Sequence, residues 1–143
     1  MSFLFDIDGT LTPSRLTIDP EFKLFFLEWI KGKNVYLVTG SDYEKSLEQV
    51  GPEILNNVRM CFNNAGNVRY KNGKEIYRME WTPPKNLIDL LNHFLDESPY
   101  LTRAGNHIEY RIGMINFSII GRNCTQNHQV HKFQWLGLLL IFR

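Results

Sequence analysis

Phe3-Leu4-Phe5-Asp6-Ile7-Asp8-Gly9-Thr10-Leu11-Thr12 joins an apolar tripeptide to two carboxylates one residue apart, a glycine and two hydroxyls. A strand that ends this way is suited to meet a metal ion and a phosphate. A carboxylate can attack phosphorus and become an aspartyl phosphate, and magnesium takes oxygen ligands while keeping waters and contacting substrate phosphate. Asp6 is the candidate nucleophile. Asp8, two positions along, leaves the strand from the same side, near enough to move a proton to or from the hydroxyl that gives or takes the phosphoryl group. Gly9 allows a sharp turn and a close approach to a ligand. Taken singly, either aspartate reads as part of an ordinary turn at Asp8-Gly9, with Thr10 and Thr12 as surface hydroxyls. The full string is what points to chemistry.

Further along, Phe22, Phe25, Phe26, Trp29 and Ile30 fall at helical spacing, with Pro20 near the start and Gly32 near the end, and are expected in the core. Val35 to Val38 reads as the next strand, parallel to the first because a helix makes the crossover. The wholly apolar Phe3 to Phe5 predicts a strand covered on both faces. Ligands gather at the carboxyl ends of such strands, where Asp6 and Thr39 both fall. Ser41 with Glu44 matches a capping box for a helix from Asp42 to about Val50, and a helix start is also an anion site.

Met60 to Asn63 reads as another buried strand, and Asn72-Gly73 within Val68 to Met79 signals a type I′ hairpin. A new unit begins near Trp81. Thr82-Pro83-Pro84 marks a helix start, and Leu87, Leu90, Leu91, Phe94 and Leu95 form an apolar stripe that ends before Pro99. Ile108 to Arg111 and Met114 to Ile120 are expected to pair around Ile112-Gly113. A helix beside an antiparallel sheet differs in character from the first half and predicts a cap domain. Arg111 and Arg122 lie on this hairpin in an otherwise apolar stretch, and their rigid forked donors suit a sugar phosphate.

Composition narrows the partners. The chain has 143 residues, 43% hydrophobic and 13% aromatic, ample for a packed core, and a net charge of +1 without a basic run. Nucleic acid and anionic membrane are therefore not expected. Cys61 and Cys124 lack zinc-ligand spacing and read as two reduced thiols. Among His93, His107, His128 and His131 only the last two are close in sequence, which reads as chance. Asp6 and Asp8 interrupt the apolar start before a signal core can form, so a soluble cytoplasmic protein is expected.

Asp6 to Thr10 resembles the first motif of the haloacid dehalogenase superfamily, Asp-x-Asp-Gly-Thr. The superfamily's second motif, a Ser or Thr that hydrogen-bonds the transferring phosphoryl group, falls on Ser41 or Thr39, with Ser41 favoured by its place relative to the helix. Phe5-Asp6-Ile7-Asp8-Gly9-Thr10-Leu11-Thr12-Pro13-Ser14-Arg15, Gly40-Ser41-Asp42-Tyr43-Glu44-Lys45, Asn64-Ala65-Gly66, Ile108 to Asn116 and Ile120-Gly121-Arg122 resemble eukaryotic phosphomannomutase in order and approximate spacing, as far as about Gln129. The resemblance implies an α/β fold with a Rossmann-like haloacid dehalogenase core, here incomplete over residues 1–80. It also implies a partial α+β cap over 81–129, followed by a divergent apolar tail over 130–143.

The resemblance further implies interconversion of mannose 6-phosphate and mannose 1-phosphate for GDP-mannose and glycosylation. Magnesium, a hexose 1,6-bisphosphate intermediate or activator, and a homodimer formed through the cap come with it. Asp6 is then nucleophile and metal ligand. Asp8 is general acid/base, with its backbone carbonyl also facing the metal. Arg15, Ser41, Arg111 and Arg122 bind substrate. A mutase must hold a second phosphate away from the reacting one, which gives distal arginines a purpose that a plain phosphatase lacks.

The family's phosphate-steadying lysine and late Gly-Asp-Lys-type motif have no counterpart here. The run from Trp135 to Phe142 is too short to span a bilayer and predicts an exposed, aggregation-prone tail on an aberrant or incomplete end. An open sheet edge and a metal site short of ligands are the expected consequences. A sugar phosphatase and a non-catalytic truncated subunit are the alternative functions.

Overall fold

The computed structural model describes residues 1–101, 103–122 and 140–142, and the side chains of all these except Arg122 and residues 140–142. Thr102, residues 123–139 and Arg143 lie outside the described residues, and with them Cys124, His128, His131 and most of the expected tail. The chain divides into two compact units, Met1–Met79 and Glu80–Arg143.

The first unit is built on a five-stranded sheet in the order β1 (Ser2–Asp6), β2 (Asn34–Val38), β3 (Met60–Asn63), β4 (Val68–Lys71), β5 (Lys74–Arg78). β1, β2 and β3 are parallel, with Phe5 opposite Leu37 and Leu37 opposite Cys61, and β3, β4 and β5 are antiparallel. Two helices make the parallel crossovers, α1 (Pro20–Trp29) and α2 (Tyr43–Asn57). Both crossovers step the same way along the sheet, so a common hand puts both helices on one face.

That face is the core. Phe26, Ile30, Val35, Leu37, Val50, Ile54, Leu55 and Cys61 form one buried cluster with Ile7, Leu11 and Ile18, and Phe3, Phe5 and Trp29 pack against it. Phe3 meets Trp29 edge-on at 4.9 Å and Phe5 meets Phe26 at 5.5 Å. Alternation sends Leu4, Tyr36, Val38, Met60 and Phe62 to the opposite face. There Leu4 is 65% exposed, and the other four are only half-buried. The expectation that β1 is covered on both faces is therefore corrected. Neither α1 nor α2 covers the second face, and among the described residues β1 is an edge strand.

Helix details also depart from the sequence pattern. Phe25, expected in the core, is 61% exposed. The α2 N-cap is Asp42, whose side chain accepts from the Lys45 amide at 2.8 Å, and not Ser41. A carboxylate one residue later satisfies the helix amide and leaves the Ser41 hydroxyl for another partner. Gly51, with φ of 81°, breaks α2 ahead of Pro52, where the apolar pattern had ended. The β4–β5 turn has φ of 50° at Asn72 and 71° at Gly73, the left-handed pair that a type I′ turn requires.

Among its described residues the second unit has one helix, α3 (Lys85–Glu97), and a three-stranded antiparallel sheet of β6 (Asn106–Arg111), β7 (Met114–Arg122) and β8 (Leu140–Phe142). Leu91, Ile115 and Phe117 are buried together, with Trp81, Leu87, Ile88, Leu95, Ile108 and Ile119 packed on them. Leu90 and Phe94, from the same stripe as Leu91, are each 43% exposed. Leu140–Phe142 pairs with β7, Ile115 opposite Phe142 and Phe117 opposite Leu140. These three residues of the expected exposed tail thus add a strand to the second sheet.

Candidate active site

The chain leaves β1 through a tight turn wound around one carbonyl. Ile7 O accepts from the amides of Thr10, Leu11 and Thr12 at 3.3, 3.0 and 3.0 Å, and the Gly9 amide donates to Thr12 O at 2.8 Å. Gly9 has φ of 79°, a conformation that residues with a Cβ avoid. Ile7, Leu11 and Thr12 are buried, which anchors the turn to the core and presents Asp6 and Asp8 at its rim.

The two aspartates have different surroundings. Asp6 is exposed, and its carboxylate has no hydrogen-bond or ion-pair partner among the described residues. Asp8 is half-buried and held from three sides. Its Oδ1 accepts from the Arg15 amide at 2.7 Å and from Gln49 Nε2 at 2.8 Å, and its Oδ2 accepts from the Ser41 hydroxyl at 3.5 Å. Burial pushes the Asp8 carboxyl up. The hydrogen bonds from Arg15, Gln49 and Ser41, with the Arg15 charge, outweigh it and leave the carboxyl below its ordinary 3.8. Asp8 is thus ionised at neutral pH, the form that takes a proton.

Two residues that the motif reading passed over build this arrangement. Gln49 is 1% exposed on α2, and its Nε2 also reaches Thr12 Oγ1 at 3.2 Å and Leu16 O at 3.5 Å. Asn63 is fully buried at the end of β3, and its Nδ2 donates to Ser46 Oγ at 2.8 Å and Ser41 O at 3.3 Å, fixing the turn after β2. Polar residues at the end of an apolar strand gave a faint signal for Asn63. Gln49 gave none, since a lone glutamine on a helix reads as solvated.

Of the expected substrate ligands, Ser41 is half-buried beside Asp8, whereas Thr39 is 2% exposed and its Oγ1 accepts from the Ser41 amide at 3.1 Å. Arg15 has φ of 62°, a left-handed backbone that aims its amide at Asp8 while its side chain stays exposed. Arg111, in the second unit, pairs with Glu109, Nε to Oε2 at 3.3 Å, and Asn116 Nδ2 donates to the same carboxylate at 3.1 Å. Arg122 is placed only through its backbone, at the end of β7.

Among the described residues no group of three or more His, Cys, Asp or Glu stands where it could hold a metal ion. The Asp6 carboxylate and the Asp8 backbone carbonyl are oxygen donors of the kind magnesium takes, and magnesium completes its shell with water and substrate phosphate. No helix among the described residues is long and apolar enough to cross a membrane.

A sheet whose first three strands are parallel, with one aspartate at the carboxyl end of the first strand and a second two residues on, is an α/β core with its candidate site at the strand ends. The N-terminally truncated, IMP-bound IMP-nucleotidase of Plasmodium falciparum has a similar fold, with a TM-score of 0.54 at 15% identity over 80% of this chain and 39% of that one. The chain belongs to the eukaryotic phosphomannomutase family, whose sequence profile matches residues 23–136, past the Gln129 at which the motif resemblance ends. It is similar to the phosphomannomutase of Arabidopsis thaliana, 37% identical over 132 residues, which cover 88% of this chain and 54% of that one. It is likewise similar to phosphomannomutase 1 of Homo sapiens, 37% identical over 135 residues, which cover 89% of this chain and 52% of that one. The chain spans about half the length of the curated relatives it matches.

Proposed function

We propose that this chain carries the phosphoryl-accepting half of a phosphomannomutase site, for interconversion of mannose 6-phosphate and mannose 1-phosphate. The contrast between Asp6 and Asp8 carries the reading. An exposed carboxylate without a partner is free to attack, and a carboxylate fixed by Arg15, Gln49 and Ser41 is free only to exchange a proton along one direction. Ionised Asp8 takes the proton of one sugar hydroxyl, which bonds to phosphorus as the bond from phosphorus to Asp6 breaks. In the other half-reaction a carboxylate oxygen of Asp6 bonds to the phosphorus of the second phosphate as its bond to the sugar oxygen breaks, and Asp8 returns the proton to that oxygen. A hexose 1,6-bisphosphate is the intermediate that links the two halves.

Asp6 and the Asp8 backbone carbonyl would hold magnesium, which neutralises charge on the phosphoryl oxygens when bound. Ser41 donates to the transferring group, while Arg15, Arg111 and Arg122 take the sugar oxygens and the second phosphate. We place the protein in the cytosol, as a homodimer formed through the unit that follows Met79.

Incubation with hexose bisphosphate labelled on phosphorus tests this directly. Label is expected on Asp6 and lost in Asp6→Asn, with mannose 6-phosphate formed from mannose 1-phosphate. Asp8→Asn should slow turnover by about 10²- to 10⁴-fold, the usual worth of a positioned acid/base. Free phosphate without isomerised sugar would replace the mutase with a sugar phosphatase. A second reading is a non-catalytic subunit. A folded chain left unlabelled would select it.

A further inference from the structure

The β6–β7 hairpin sorts its side chains by face. Ile108, Ile115 and Phe117 pack with Leu91 of α3, and the residues that alternate with them carry a short polar chain on the other side. Glu109 and Arg111 stand two apart on β6, and the register sets Glu109 opposite Asn116 and Arg111 opposite Met114. The guanidinium lies side-on to the carboxylate, with Arg111 Nε 3.3 Å from Glu109 Oε2 and Arg111 Nη2 3.4 Å from Glu109 Oε1. Asn116 Nδ2 donates to Glu109 Oε2 at 3.1 Å. Asn116 is 3% exposed, whereas the side chains of Glu109 and Arg111 keep 29% and 23% of their surface. A partly exposed ion pair adds little to stability, and a buried amide is costly to place. Stability alone therefore gives a poor reason to commit a buried asparagine to this carboxylate.

We propose that Glu109 is a positioning residue for Arg111, itself fixed by Asn116, and that it turns the guanidinium so that one edge meets a sugar phosphate. This role rests on the reading of Arg111 as a substrate ligand and adds what aims it. A phosphate accepts two parallel bonds from one edge of a guanidinium. Glu109 takes the Nε side, which assigns the Nη1–Nη2 edge to the phosphate. An arginine held in place before the ligand arrives gives up less rotamer freedom on binding. Charge alone predicts the opposite of this role. A carboxylate beside a phosphate repels it, so a Glu109 that only neutralised Arg111 would weaken binding, and its removal would tighten it. The two accounts differ in sign.

The test is titration of the full chain, isotopically labelled at the arginine side-chain nitrogens, with mannose 1-phosphate, read by nuclear magnetic resonance. In the unsubstituted chain the Arg111 Nε–H, identified by its loss in Arg111→Lys, is expected to exchange slowly with water and to shift as the ligand binds. Glu109→Ala should speed that exchange and weaken binding about five- to ten-fold, the freedom regained by one long side chain. Glu109→Asp keeps the charge and loses the reach, and a similar loss is expected. Asn116→Leu leaves both charges in place and should weaken binding about two- to three-fold. Circular dichroism of each variant separates lost binding from lost folding, and the Arg111 signal of the unsubstituted chain needs no variant. Tighter binding in Glu109→Ala, unchanged binding in Glu109→Asp, or an Arg111 signal indifferent to the ligand would overturn the proposal. Labelling of Asp6 is scored separately. A chain that binds as expected yet takes no label removes the mutase reading alone, and a labelled chain indifferent to Glu109 removes this role alone.

Discussion

The two faces of the first sheet share the same strands and differ in what they meet. On the helix side Leu37 is fully buried and Cys61 is 1% exposed, while on the other side, one residue away along the same strands, Tyr36, Val38 and Phe62 keep part of their surface in water. Apolar composition alone does not separate them, since both faces are rich in aromatic and branched residues. What separates them is topology, because two crossovers of one hand cover one side only. The candidate site lies at the rim where these faces end. From the covered side α2 sends Gln49 to fix Asp8, while Asp6, on the side of Leu4, has no such support.

The largest expected effect measures the comparison itself. Leu37→Ala should cost about 2–5 kcal/mol, because it removes buried methyl groups and leaves a cavity among packed neighbours. Leu4→Ala, on the same sheet, should stay within about 0.5 kcal/mol, as exposed positions do. Urea denaturation of both variants decides the matter, and equal losses would mean that the open face is buried in solution. A smaller effect is expected at the rim. Gln49→Leu takes one charged hydrogen bond from Asp8 and also removes the buried Gln49 Oε1, which has no partner among the described residues. The two changes oppose each other, so a net loss of roughly 1–2 kcal/mol is expected from the same denaturation series. A stabilised variant would show that the amide does not hold Asp8.

Much of this was legible in the residues. Strand and helix alternation from Phe3 to Val38 followed from a short apolar run and a helical period, and the β4–β5 turn from Asn72-Gly73, because each of these signals is local. The capping position was misread by one residue, since Ser41 and Asp42 can both accept from a helix amide and only the backbone path decides which of them does. The burial of Phe25 and the second cover over β1 were expected from apolarity. A face is buried only when another element reaches it, and that depends on chain order beyond the strand. At the site, Asp6, Asp8 and Ser41 stood out by motif. Gln49 and Asn63 did not, because their role comes from contacts 41 residues away in the chain for Gln49 and 22 for Asn63.

Cys61 gives the smallest and sharpest comparison. Burial between the sheet and its helices pushes the thiol up from its ordinary 9.0 to about 12, with a hydrogen bond to Ser46 acting the other way. A thiol kept neutral in the folded state contributes stability that is whole below its unfolded value and fades as pH rises towards the folded one. Between about pH 8 and pH 9.5 the loss should therefore be under roughly 1 kcal/mol, and Cys61→Ala should remove that slope. In a Cys124→Ser background the Cys61 thiol should react with an aromatic disulfide only as fast as the protein opens. Leu4→Cys on the same background, across the sheet and 65% exposed at that position, should react at the rate of a free thiol. Two thiols on one sheet, two strands apart and on opposite faces, that differ in rate would separate the covered face from the open one, and matched rates would erase the difference.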